Sequence, residues 1–213
     1  MQNWIFDIRS RLFVLLSFGF LILTTFVYFG FFDQFDQASI TYFQNFFGND
    51  ILDGFMLLVT EIGTIYYMLG FSIVLLIIRR TRRIGAVLLI LMVSTTIVTG
   101  YIKCGVDRDR PSEEFAENPF QMTPSRDTFS LFCGSGADAS FPSGHAARAM
   151  ALAVVLGYIA SKYFPRGSYL ILIYPILMSI SRVYISQHYP TDVIGGMIIG
   201  MLLAGVISYK AKL

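Results

Sequence analysis

The sequence predicts an all-α membrane protein, a bundle of six transmembrane helices with short interfacial helices between the first and second. Three observations carry that expectation. Hydrophobic residues make up 55% of the 213 residues and charged residues only 14%, where a soluble domain averages roughly a quarter charged. The mean hydropathy is +0.63. Apolar runs recur along the chain, most of them close to the roughly 20 residues that cross a hydrocarbon core. Residues 1–213 are expected to form a single domain with no separate soluble unit.

The six runs lie near Leu12–Phe32, Phe55–Ile78, Ile84–Ile102, Ala146–Ser161, Tyr169–Ile185 and Val193–Tyr209. No small-residue cleavage site follows the first, so it reads as a retained helix and not a signal peptide. Between the first two runs Ile40, Phe43 and Phe47 recur at helical spacing, as do Leu52, Phe55, Met56 and Val59. That pattern predicts one or two amphipathic helices in the interface, whose aromatics either anchor the bundle or border a lipid access path. The fourth and fifth runs are short and must extend into the polar residues beside them. Pro175 predicts a kink in the fifth helix. Gly196 and Gly200 give the sixth a small-residue face, for packing inside the bundle or for dimerisation.

Orientation follows from charge. With six crossings the amino terminus, Arg79–Arg83, Lys162–Arg166 and the Lys210–Leu213 tail share one side, which carries ten basic residues and one acid, Asp7. The other side carries thirteen acids and six basic residues. Lysine and arginine excess marks the cytoplasm. Both termini are therefore expected inside, in the cell membrane. The net charge of +2 says little by itself; the partners expected are the bilayer and a lipid substrate within it, with no nucleic acid.

Three polar clusters interrupt the oily sequence, and all fall on the outer side. Lys103 and Arg110-Pro111 close helix 3, Pro142-Ser143-Gly144-His145 opens helix 4, and Ser181-Arg182 with His188 and Asp192 spans the turn between helices 5 and 6. They hold both histidines of the chain, and ionisable groups at a bilayer are costly enough to mark function. Ser143 can cap helix 4, and Gly144 leaves its backbone open to a close approach. The free amides and dipole at that terminus favour a phosphate, to which His145 can present a proton. Pro190 suits the first turn of helix 6, so Asp192 can reach back to His188 and fix its tautomer for nucleophilic attack. Arg110 and Arg182 can fork onto phosphate oxygens, with Lys103 as a point charge. Snorkelling explains Lys103 alone equally well, but not the recurrence of basic residues beside both histidine clusters.

These three clusters resemble the signature of the type 2 phosphatidic acid phosphatase (PAP2) superfamily. The resemblance implies a membrane-integral lipid phosphate phosphatase that works without a cofactor through a phosphohistidine. It implies His188 as nucleophile, Asp192 as its orienting partner and His145 as the acid for the leaving group. Lys103, Arg110, Ser143, Gly144 and Arg182 would hold the phosphate oxygens. With no third histidine and no close carboxylate cluster, no metal site is expected.

Arg148 follows His145 by three residues and shares its helix face. It either contacts a second phosphate, tunes His145, or snorkels to the surface. Polyisoprenoid diphosphate phosphatases of the same superfamily carry an arginine here, which favours a polyprenyl diphosphate such as undecaprenyl diphosphate as substrate. Phosphatidate or phosphatidylglycerophosphate hydrolysis, phosphoryl transfer to a second lipid, and a non-catalytic lipid-binding or transport role remain alternatives. Cys104 and Cys133 either bridge in an oxidising compartment or remain thiols. The loop from Ser112 to Phe141 is either a solvated connection or a headgroup-selecting lid.

Overall fold

A computed structural model of the chain describes Trp4, residues 7–111 and residues 138–213. Most of the loop from Ser112 to Phe141, and Cys133 with it, lies outside the described residues. Cys104 is disulfide-bonded. The described chain is α-helical. Its order is α1 (Arg11–Tyr28), α2 (Asp33–Gln44), α3 (Asp50–Ile62), α4 (Ile65–Ile77), α5 (Arg82–Val106), α6 (Gly144–Ser161), a 3-10 turn (Gly167–Leu172), α7 (Ile173–Tyr184) and α8 (Pro190–Lys210).

Five segments are long and apolar enough to cross a membrane: α1, α5, α6, the 3-10 turn with α7, and α8. The protein is thus an integral membrane protein built from helices. The second apolar run departs from a straight helix. It breaks at Gly63–Thr64 into α3 and α4, which meet at a 53° bend and together have the length and composition of a sixth span. Glycine is a weak helix interior residue. A Cβ at Gly63 would also collide with the end of Met178. The break leaves the Gly63 carbonyl facing a side chain instead of a helical amide.

The ends of the other spans follow local chemistry. Ser10 caps α1 by accepting the Phe13 amide, and Gly30, at φ +70°, turns the chain into α2. Pro175 falls in the first turn of α7, where its missing N–H costs nothing. The break expected at this proline is a change of winding, from 3-10 to α, three residues before it.

α6 runs through the centre; most of its residues are buried. It crosses α8 closely enough that a Cβ on Gly196 would strike the Ser143 carbonyl oxygen, and one on Gly200 the Ala147 carbonyl oxygen. The small-residue face of the last helix therefore packs inside the bundle. Below this crossing Met68, Val87, Leu88, Leu91, Met150, Val154 and Val155 form the apolar core between α4, α5, α6 and α8.

The two ends of the bundle differ in chemistry. At one, Arg83 donates to the carbonyls of Ala211 and Lys212, Tyr158 donates to Leu213, and Trp4 lies against Gly157 and stacks on Tyr169. Trp4, the basic turns and the carboxyl-terminal tail gather here. The three polar clusters gather at the other end, where α5 and α7 finish and α6 and α8 begin. α2 packs there too, with Ile40 buried among Ala146, Val183, Tyr189 and Val193.

The close crossing of α6 and α8 has a measurable consequence. Gly200→Leu must push α6 and α8 apart, and overpacking of this kind costs about 1–3 kcal/mol. Gly70→Ala, where no atom lies within 4 Å of the added Cβ, is expected to leave thermal unfolding in detergent unchanged. Equal melting of the two variants would contradict the crossing.

Candidate active site

The site is assembled where α8 begins. Pro190 occupies its first turn, and Asp192 closes a capping box by accepting the Tyr189 amide on Oδ2 at 2.8 Å. The same oxygen lies 3.6 Å from Nδ1 of His188, with both side chains fully buried. That is an ion-pair distance, longer than a hydrogen bond. The His188 amide donates to the Arg182 carbonyl at 3.2 Å, which folds the turn after α7 back on itself. Ser186, at φ +53°, makes that reversal possible.

The second cluster docks directly on the third. The Ser143 amide donates to the Asp192 carbonyl at 2.9 Å, so the start of α6 and the start of α8 lie side by side. Ser143 caps α6, its hydroxyl accepting the Ala146 amide at 3.5 Å. Ser143, Gly144 and His145 are all buried. His145 reaches the α3–α4 break, its Cδ2 being 3.2 Å from where a Cβ on Gly63 would sit. Two helix N-termini side by side put positive dipole ends at one place.

The cations close around this point. Arg110 donates from Nη1 to the Gln187 carbonyl at 2.8 Å, and from Nε to Asp138. Lys103 donates to the Ala139 carbonyl, three residues before Pro142. Arg182 donates to the Thr60 hydroxyl at 2.9 Å. Arg148 approaches the Gly63 carbonyl at 3.4 Å, which rules out snorkelling, since it is 1% exposed. Lys103, Arg148 and Arg182 are all buried, so basic side chains gather at the end of the bundle where two helix N-termini also meet.

Four residues around the site escape a reading of motifs. Thr60 and Gly63 belong to the second apolar run yet meet Arg182 and Arg148. Arg108, between the two basic residues of the first cluster, binds Asp192 Oδ1 at 2.9 Å and Asp36 Oδ2 at 2.8 Å. Burial alone would lower its pKa, but Asp192 and Asp36 outweigh burial and raise it. Asp36 itself carried a signal: it lies one helical turn before Ile40 on the apolar face of α2, where a carboxylate needs a buried partner.

Comparisons with known proteins point to one family. The profile of the PAP2 superfamily matches residues 84–212. An undecaprenyl-diphosphatase of Sulfolobus acidocaldarius is 32% identical over 149 residues, covering 70% of this chain and 66% of that one. Phosphatidylglycerophosphatase B of Bacillus subtilis is 41% identical over 71 residues, 30% of this chain and 35% of its own. The chain thus spans between a third and two thirds of the length of these curated relatives. The crystal structure of a transmembrane PAP2 type phosphatidylglycerolphosphate phosphatase from Bacillus subtilis superposes with a TM-score of 0.71 at 24% identity, covering 93% of this chain and 95% of that one. That likeness is one of fold.

The Thr60–Arg182 contact gives a direct test. Thr60→Val removes a hydroxyl acceptor from a buried guanidinium, and a hydrogen bond to a charged group is worth about 1.5–3 kcal/mol. Thr60→Val is expected to lower the melting temperature in detergent while Thr60→Ser, which keeps the hydroxyl, does not. Identical melting of the two would remove Thr60 from the site.

Proposed function

Because the chain belongs to the PAP2 superfamily, we propose that it is a lipid phosphatase that removes the terminal phosphate of a polyprenyl diphosphate, such as undecaprenyl diphosphate. It acts as a single unit of six transmembrane helices, α3 and α4 forming one bent span and α2 lying in the interface. Both termini are cytoplasmic, in the plasma membrane, and the site opens outward at headgroup depth. The observation that carries the proposal is the buried His188–Asp192 pair beside Ser143 and the cations Lys103, Arg110 and Arg182.

The reaction follows from these positions. The cations and the α6 N-terminus hold the non-bridging oxygens of the terminal phosphate. His188 Nε2 attacks phosphorus in line, while Asp192 accepts a hydrogen bond from Nδ1–H and steadies the positive charge that develops on the ring. The P–N bond forms as the P–O bond to the lipid monophosphate breaks, and His145 gives that oxygen its proton. His145 then takes a proton from water, whose oxygen attacks phosphorus; the P–N bond breaks and inorganic phosphate leaves. Catalysis rests on positioning and on positive charge at the phosphoryl oxygens.

Arg148 supports the diphosphate assignment. Its helix face is that of His145, and it is held near the bend where His145 also lies. The likeness to an undecaprenyl-diphosphatase over 149 residues weighs the same way. A second reading, hydrolysis of phosphatidylglycerophosphate, is favoured by the 41% identity over 71 residues.

Phosphate release by the detergent-purified protein separates these readings when polyprenyl diphosphate, phosphatidate, phosphatidylglycerophosphate and soluble esters are compared. The diphosphate is expected to be turned over fastest, with no added acceptor; dependence on a second lipid would show a phosphotransferase. His188→Ala is expected to abolish turnover, and an unchanged cellular effect of that variant would return the protein to a lipid-binding or transport role. Since His145 must be protonated while His188 is not, turnover is expected to follow a bell-shaped pH profile, and a flat one would contradict both roles. Arg148→Ala is expected to reduce diphosphate turnover about tenfold more than monophosphate turnover, the scale of one lost charge-assisted contact; equal losses would remove Arg148 from the second phosphate.

A further inference from the structure

Arg108 makes four side-chain hydrogen bonds at this end of the bundle. Nη1 donates to Asp192 Oδ1 at 2.9 Å and to the Thr191 hydroxyl at 2.8 Å. Nη2 donates to Asp36 Oδ2 at 2.8 Å and to Asp33 Oδ1 at 3.2 Å. Its guanidinium carbon sits 4.3 Å from the centre of the Tyr189 ring, and the Tyr189 hydroxyl in turn accepts from Gln37 at 2.8 Å. The side chain is about a tenth exposed, and the carboxylates of Asp192 and Asp36 are fully buried.

Two buried carboxylates therefore meet at one threonine. Asp36 accepts both the Thr191 amide, at 3.3 Å, and the Thr191 hydroxyl, and Thr191 adjoins Asp192. Like charges so close cannot both persist in a low-dielectric site without a cation between them. A planar fork supplies that cation along two directions at once, which the point charge of a lysine does not. Each Asp192 oxygen then has a separate task. Oδ1 is taken by Arg108, and Oδ2 is left for the Tyr189 amide and His188.

We propose that Arg108, braced by Asp36 of α2, is a positioning residue for the His188–Asp192 pair. It keeps Asp192 ionised and turned toward Nδ1 of His188 without itself touching the phosphate. The groups that face Asp192 are Arg108 from the segment after α5, Asp36 from α2, Thr191 on α8, and Tyr189 and His188 from the turn before it. α2 thereby becomes part of the catalytic apparatus and not merely an anchor. This inference rests on the phosphohistidine mechanism proposed above, and its failure is distinguishable from the failure of that mechanism.

The full-length protein in detergent, with a polyprenyl diphosphate as substrate, decides it. Arg108→Gln, Arg108→Lys, Arg108→Gln with Asp36→Asn, and His188→Ala are compared for kcat, KM, melting temperature and the inhibition constant of inorganic phosphate. Arg108→Gln is expected to lose about 100-fold in kcat, the scale of a misplaced catalytic group, while KM and phosphate inhibition stay within about twofold because the phosphate cradle is intact. Arg108→Lys keeps the charge but not the fork, and is expected to lose about tenfold. Adding Asp36→Asn to Arg108→Gln removes the competing carboxylate and is expected to restore about tenfold, in the range of coupling within one network.

Wild-type kcat in both Arg108→Gln and Arg108→Lys would overturn the proposal. So would a loss of kcat with parallel changes in KM, phosphate inhibition and melting and no restoration by Asp36→Asn, since Arg108 would then be only structural. If Arg108→Gln does not fold, Arg108→Lys decides alone: wild-type kcat overturns the proposal, and a loss at unchanged KM and melting supports it. An active His188→Ala would instead sink the mechanism itself.

Discussion

Charge buried at the edge of hydrocarbon is the constraint on which this structure depends. Lys103, Arg148, Arg182, Asp36, Asp192 and both histidines are buried at one end of a bundle whose remaining surface is largely apolar. An uncompensated ion there costs several kcal/mol, and a pair pays its way only when hydrogen bonds meet its remaining donors and acceptors. The local folding serves that need. The bend between α3 and α4 brings the Thr60 hydroxyl and the Gly63 carbonyl to two arginines. The turn before α8 brings a carbonyl to Arg110. The carboxylates of Asp36 and Asp192 are satisfied by Arg108, by a hydroxyl and by backbone amides.

Helix packing gives these groups a common position. Gly196 and Gly200 allow α8 to rest on the backbone of α6, and that contact brings the Ser143 amide to the Asp192 carbonyl. The N-terminus of α6 and a histidine–carboxylate pair are thus joined by a single hydrogen bond, although about fifty residues separate them in sequence. Because rigid helices fix both, the phosphate site proposed here would need little ordering, which is the condition for electrostatic stabilisation.

Much of this was legible in the sequence because a bilayer simplifies the pattern. Apolar length marks the spans, and a buried charge stands out against them, so Lys103, Arg148, Arg182, His145, His188 and Asp192 could be picked out without coordinates. The break of the second run was not legible, since Gly63 inside an apolar stretch is usually tolerated in a straight helix. The neighbours that require a glycine there, Met178 and His145, are far away in sequence. Pro175 was legible as a disturbance but not as a helix start, because the turns before it wind as 3-10. Arg108 and Asp36 were hidden for another reason. Each sits among other charged residues, in the stretch Asp107–Arg110 and beside Asp33, and only the fold selects which member of each group is buried.

The most direct test is to trap the covalent intermediate. Protein mixed rapidly with terminally radiolabelled polyprenyl diphosphate and quenched in alkali should carry label that is stable to base, labile to acid, and located on the peptide containing His188. Label recovered on a serine peptide, or full turnover with no labelled protein at any quench time, would contradict a histidine nucleophile and with it the role given to every charge around it.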